Sequence, residues 1–176
     1  MRKISNNELN RLSIQEFKET QKIPVKVVLD DIRSLNNIGS VFRTADAFLI
    51  QEIHLCGITA KPPHREIQKT ALGATESVEW KYFKSIEDSI AELKKEGFKI
   101  YAVEQVENSI SLENFSMNNN ENIAVIFGNE VAGVNQNILK SVDGGIEIPQ
   151  MGTKHSLNIS VCAGIVLWHL FKSKNL

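Results

Sequence analysis

The chain has 176 residues, the length of one ordinary domain, and would be cramped as two. It is 42% hydrophobic and 23% charged with a formal net charge of −1, which excludes a wholly disordered chain and is compatible with folding without a disulfide or metal staple. Charge is unevenly placed: residues 1–75 hold 11 basic and 8 acidic residues, the rest 9 and 13. That is a modest basic footprint, well short of a typical nucleic-acid binder, so charge alone leaves an ordinary solvated surface as the simpler reading.

In chain order, Ser5 or Asn6 caps a helix over 5–20 with a sparse stripe of Leu9, Leu12 and Phe17. The start of the chain has no apolar core of a secretory signal. Pro24 ends that helix and opens a strand, VKVVLDD. A helix from Asn37 to Ile50 follows, with Ile38, Val41, Phe42, Ala45 and Leu49 on one face. EIHLCG is the next strand, and ITAKPPHRE is a loop because Pro62–Pro63 fits neither a helix interior nor a central strand.

A short helix near Ile67 to Leu72 ends at Gly73, and VEWKYF is a strand. Ser85 then caps an amphipathic helix that ends at Gly97. FKIYAVE is a strand, and ENSISLENFSMNNNEN (residues 107–122) reads as a polar connector. IAVIFG is the most hydrophobic strand, a short helix spans Asn135 to Ser141, IEIP is the last strand, and a helix runs from Ser156 to Phe171. The apolar run Leu157–Phe171 is too short for a membrane span and is broken by Asn158, Ser160 and His169. Cys56 and Cys162 sit apart in apolar runs and read as free thiols of a reducing compartment, so a cytoplasmic protein is expected.

Alternating strands and helices imply an α/β fold: a mainly parallel sheet with helices on both faces, and ligands beyond the carboxyl ends of the strands. No Gly-x-Gly, Walker A, H-E-x-x-H or Cys/His metal spacing occurs, which removes the common dinucleotide, nucleotide-hydrolase and zinc sites. Three strand ends are unusual instead. In N-N-I-G-S-V-F-R-T (Asn36–Thr44), Arg43 points off the core with Gly39 one turn earlier, leaving room for a phosphate or for another backbone. In F-G-N-E-V-A-G-V (Phe127–Val134), Gly128 ends a buried strand where a ligand can press on the backbone, and Glu130 follows in the loop. In I-P-Q-M-G-T-K-H-S-L-N-I-S (Ile148–Ser160), capping explains Ser156, and explains Asn158 and Ser160 less well.

Taken together and in order, the three segments resemble the SpoU (TrmH-type) family of S-adenosylmethionine-dependent RNA methyltransferases. The shared positions are Asn37, Gly39, Arg43 and Thr44; Gly128, Glu130 and Gly133; and Ile148, Pro149, Gly152, Ser156, Leu157, Asn158 and Ser160. Leu35 and Asn36 stand where the family often has a Pro–aromatic pair. The resemblance implies an α/β-knot with a C-terminal trefoil knot over residues 23–176, residues 1–22 being an N-terminal helical extension. It implies methyl transfer from S-adenosylmethionine to a ribose 2′-hydroxyl of tRNA or rRNA, by a homodimer that needs no metal. It assigns catalytic work to Arg43, Asn37, Glu130 and Asn158, and cofactor contacts to Val103, Gly128, Ile148, Ser156 and Leu157. The alternative is a catalytically silent RNA-binding or dimerisation module of the same fold.

Overall fold

The computed structural model describes residues 1–118 and 121–175. Among the described residues seven strands form one sheet: β1 (Ile23–Asp30), β2 (Ile50–Cys56), β3 (Glu79–Phe83), β4 (Lys99–Val103), β5 (Ile110–Ser111), β6 (Ile123–Phe127) and β7 (Gly144–Glu147). Their order is β3-β2-β1-β6-β4-β7-β5, and every strand pairing is parallel. The helices are α1 (Ile14–Glu19), α2 (Leu35–Ala47), α3 (Arg65–Ala71), α4 (Ala74–Ser77), α5 (Ile86–Lys95), α6 (Gln136–Leu139) and α7 (Ile159–Asn175).

Side-chain alternation along the central strands builds a core on each face of the sheet. Val25, Val27 and Leu29 of β1 and Ile123, Val125 and Phe127 of β6 pack under α2, α3 and α7. Val28 of β1 and Ala124 and Ile126 of β6 face the other way, under α5 and α6. The expectation of helices on both faces holds.

Several expected boundaries are corrected. The single N-terminal helix over 5–20 is two pieces: a 3-10 turn at Asn6–Leu9 and then α1. Asn10 turns left-handed at φ 45°, and Ser13 restarts the helix with a reciprocal cap to Glu16. Strand β1 starts one residue before Pro24, and its register with β2 shifts between Ile23 and Lys26, where proline has no N–H to offer. Helix α2 starts at Leu35 and ends at Ala47, because Leu49 is left-handed at φ 53°. The connector 107–122 holds a strand after all, β5, two residues paired to β7; residues 119 and 120 of it lie outside the described residues.

Under α5 lies a buried ionic cluster that reads in sequence as plain strand. Lys26 Nζ is 2.8 Å from Glu52 and 2.5 Å from Glu96, while His54 bonds Glu52 and Ser89, both at 2.7 Å. Burial opposes ionisation of Glu52, but the bonds from His54 and Lys26 outweigh it and hold its pKa down to about 2. Cys56 is buried, which pushes its thiol up to about 12. No described helix is long and apolar enough to cross a membrane.

Asp30, at the end of β1, is 7% exposed, and burial, with Asp31 and Glu87 nearby, raises its pKa to about 6. A carboxyl group raised on folding favours the folded state most below its unfolded pKa, and that benefit disappears as pH rises through the folded value. Asp30→Asn is therefore expected to stabilise the protein by about 1–2 kcal/mol at pH 8 and by nothing measurable near pH 4. Urea unfolding of both proteins at the two pH values checks this; equal shifts at both would show that Asp30 does not titrate as described.

Candidate active site

The carboxyl ends of β4, β6 and β7 open into a cavity of about 640 Å³. The loop after β6, residues 128–134, forms one wall. Asn129 organises that loop: its Oδ1 accepts from the amides of Val131 (2.9 Å) and Ala132 (3.1 Å), and its Nδ2 donates to Asp31 O at 2.7 Å. Gly133 N donates back to Asn129 O at 2.9 Å, with Gly133 in the left-handed region at φ 67°. Glu104, just past β4, receives the Val134 amide at 3.1 Å and so ties the loop to the neighbouring strand. The opposite wall is the segment leading into α7, held by Gln105 Nε2 donating to His155 O at 2.9 Å.

Glu130 sits where this loop meets α2. Its carboxylate accepts from Arg33 N and Ser34 N, both at 3.0 Å, and from Asn37 Nδ2 at 3.3 Å. It thereby covers free N–H groups at the start of α2, where a negative charge also suits the helix dipole. Partial burial works to raise its pKa, but these donors prevail and lower it. Asn37 Oδ1 in turn accepts from Asn158 Nδ2 at 3.2 Å. Asn158 Oδ1 accepts from Ser160 N (2.9 Å) and Ser160 Oγ (2.7 Å). A continuous hydrogen-bonded chain, Glu130–Asn37–Asn158–Ser160, thus joins three segments that are 93 and 121 residues apart in sequence.

The cavity brings together Val103, Gly128, Ile148, Ser156 and Leu157 with Glu130 and Asn158. Asn37 touches this group through its two bonds rather than as lining. Arg43 is elsewhere: it lies on the exposed side of α2, six residues beyond Asn37, outside the cavity wall and with no hydrogen bond or ion pair among the described residues. Six residues are about 9 Å of helix and roughly 120° of rotation, so the two side chains leave α2 in different directions.

Two readings of local residues, at Ser156 and Gly128, are corrected by the structure, and a third, at Gly39, is narrowed. Helix α7 begins at Ile159, and its cap is Asn158, whose carbonyl also accepts from Cys162 N at 2.9 Å; Ser156 is exposed and precedes it. Of the two uses expected of Gly39, a phosphate or another backbone, the structure shows the second. A Cβ there would lie 2.1 Å from Thr70 Oγ1 and 2.3 Å from Ile67 O, so this glycine lets α3 pack directly on α2. Gly128 likewise faces protein: a Cβ would lie 2.3–2.4 Å from backbone atoms of Gly133 and Val134. Sequence reasoning missed Asn129 and Glu104. The first carried a signal, since an Asn in a glycine-bounded loop is an Asx-turn former; the second had none. Cys162 lines the cavity, but burial raises its thiol to about 11, so it is not a thiolate nucleophile at neutral pH.

Against known proteins, residues 24–168 match the model of the SpoU rRNA Methylase family. The chain is 32% identical over 143 residues to a tRNA (guanosine(18)-2′-O)-methyltransferase of Borreliella burgdorferi, covering 81% of this chain and 64% of that one. It is 29% identical over 161 residues to the protein of the same description from Thermus thermophilus, covering 92% and 81%. In structure it is similar to an AdoMet-bound rRNA methyltransferase from Sinorhizobium meliloti (TM-score 0.78, 26% identity, 87% of this chain and 58% of that one). It is also similar to a TrmH/SpoU tRNA modifying enzyme of A. aeolicus (TM-score 0.77, 25% identity, 89% and 78%). With the motifs, the parallel sheet and the strand-end cavity in agreement, this chain belongs to the SpoU rRNA methylase family.

Proposed function

We propose that the chain is an S-adenosylmethionine-dependent RNA methyltransferase acting on a ribose 2′-hydroxyl, with tRNA as the favoured substrate class. The observation that carries this is the Glu130–Asn37–Asn158 chain, which places the three family motifs side by side at the rim of one cavity. The cavity suits the donor: its volume is in the range of cofactor sites, and Val103, Ile148 and Leu157 offer apolar walls beside the backbone of Gly128. The bound donor supplies an electrophilic methyl group on a sulfonium.

The residues of the chain would do the rest. Arg43, exposed and uncommitted among the described residues, is available to grip an RNA phosphate bidentately and to stabilise the alkoxide that develops as the 2′-hydroxyl loses its proton to solvent. Its high pKa makes it a poor base, so positioning and charge are the roles we assign. Asn37, held by Glu130, and Asn158, held by Asn37, would orient the ribose. We assign the trefoil knot to the C-terminal segment, supported by β7 lying near one sheet edge while α7 returns to pack on α2. Residues 1–22 we assign as an extension to a single domain over 23–176; Phe17 is its buried hydrophobic anchor among the described side chains. Free Cys56 and Cys162 fit a cytoplasmic setting.

The test is methyl transfer from labelled donor into total tRNA and rRNA, with nucleoside mapping. Incorporation as a 2′-O-methylnucleoside is the expected result. Donor binding without any transfer would favour the silent module.

We further propose a homodimer. One side of α7 is buried in the core through Ala163, Val166, Leu167 and Leu170, yet Val161, Ile165 and Trp168 form an exposed apolar stripe at helical spacing. Trp168 extends this into a surface aromatic group with Phe48 (5.6 Å) and Phe171 (6.0 Å). A two-fold pairing across α7 would cover it. The protein is expected to sediment at about twice the chain mass, and Ile165→Glu/Trp168→Glu at the monomer mass. A parent protein that is monomeric at working concentration and fully active would remove the dimer.

A further inference from the structure

The cavity is acidic. Glu104, Glu130 and Glu147 line it, with neither lysine nor arginine among the described lining residues. Two of these carboxylates already serve the protein. Glu130 accepts from two backbone amides and Asn37, and Glu104 accepts from Val134 N at 3.1 Å and Gln105 N at 2.9 Å. Glu147 differs. It is the last residue of β7, half-buried, and its carboxylate has no hydrogen bond or ion pair among the described residues. Its carboxylate is thus the one of the three whose oxygens are not already engaged, and it is available to a cationic ligand in the cavity.

We propose that Glu147 is the charge partner of the donor's sulfonium, so that the cavity discriminates the cationic donor from the uncharged-sulfur product. This rests on the reading that the cavity is the donor site. Donor and product share the adenosine, the ammonium and the carboxylate; they differ in the methyl group and in the positive charge on sulfur. A carboxylate that senses that charge adds affinity to the donor alone. Once the methyl group leaves with its carbon–sulfur bond broken, the bonding pair stays on sulfur, the charge vanishes, and Glu147 no longer holds the product. The other two carboxylates are poorer candidates, because their oxygens are already engaged by amide donors.

The test is calorimetric titration of the full chain with S-adenosylmethionine and, separately, S-adenosylhomocysteine. Glu147→Gln keeps the shape and removes the charge. Donor affinity is expected to fall about tenfold while product affinity stays within about twofold, on the scale of one partly screened charge contact. Glu104→Gln, which loosens the 128–134 loop, is expected to weaken both ligands alike, with a lowered melting temperature that Glu147→Gln does not share. Equal losses for both ligands in Glu147→Gln would place the residue on the shared ammonium and overturn the proposal, as would no change in either. Failure of either ligand to bind the unsubstituted protein would instead overturn the donor-site reading and this inference with it.

Discussion

Arg43→Ala is expected to fold as stably as the parent, to bind the methyl donor with unchanged affinity, and to transfer methyl at least about a hundredfold more slowly. The first two outcomes follow from position. The side chain is exposed, outside the cavity wall, and makes no hydrogen bond or ion pair among the described residues, so its loss removes no internal contact. The third follows from charge: nothing else assigned to the site carries a positive charge to meet a phosphate or a forming alkoxide. Arg43→Lys is expected to fail nearly as badly, since an ammonium keeps the charge but not the two-pronged geometry. Single-turnover transfer beside donor calorimetry checks all three, and near-parent rates in Arg43→Ala would take Arg43 out of the mechanism.

Gly128→Ala carries the other large expectation, and for a reason that differs from the one its place in sequence suggests. The added methyl would meet no ligand first; it would meet the carbonyl of Gly133 and the amide of Val134 at 2.3–2.4 Å. These are backbone atoms, which cannot swing aside as a side chain does. Gly133 is left-handed at φ 67°, with Glu104 holding the next amide, so the loop has little freedom to retreat. The expected outcome is a loss of about 1–3 kcal/mol of stability together with a donor affinity reduced tenfold or more, both from an opened 128–134 loop. Denaturant melts and donor titration on the same preparation test it. A variant as stable as the parent that binds donor normally would mean that the loop yields at no cost.

Elements with a strong local pattern were legible in the residues. β6 is an unbroken apolar run, and Ser85 and Gly97 delimit α5 by cap chemistry alone. Two-residue β5 was not legible, because its pairing with β7 comes from the partner strand and a run of two residues has no period to detect. The break at Asn10 was hidden for a related reason: one left-handed residue interrupts the chain without disturbing a sparse apolar stripe. The buried Lys26–Glu52–His54 group escaped because alternation in β1 and β2 says which face a residue takes, not what stands opposite.

The site divides in the same way. Membership of the family could be argued from residues alone, since each motif is a short run whose glycines, asparagines and prolines are chosen by local backbone and capping needs. Arg43 as an exposed residue of α2 also followed from the helical period. Only the folded chain could show that Glu130 covers the start of α2, that Asn158 rather than Ser156 caps α7, and that Asn37 bridges the two. Apart from the local cap, those contacts join residues about a hundred positions apart, and their geometry is set by sheet order and loop closure, which no local pattern encodes. The glycines behave alike: sequence marks Gly39 and Gly128 as places where a side chain is unwelcome, and the tertiary structure decides that neighbouring protein atoms, α3 at Gly39 and the backbone of Gly133 and Val134 at Gly128, are what exclude it.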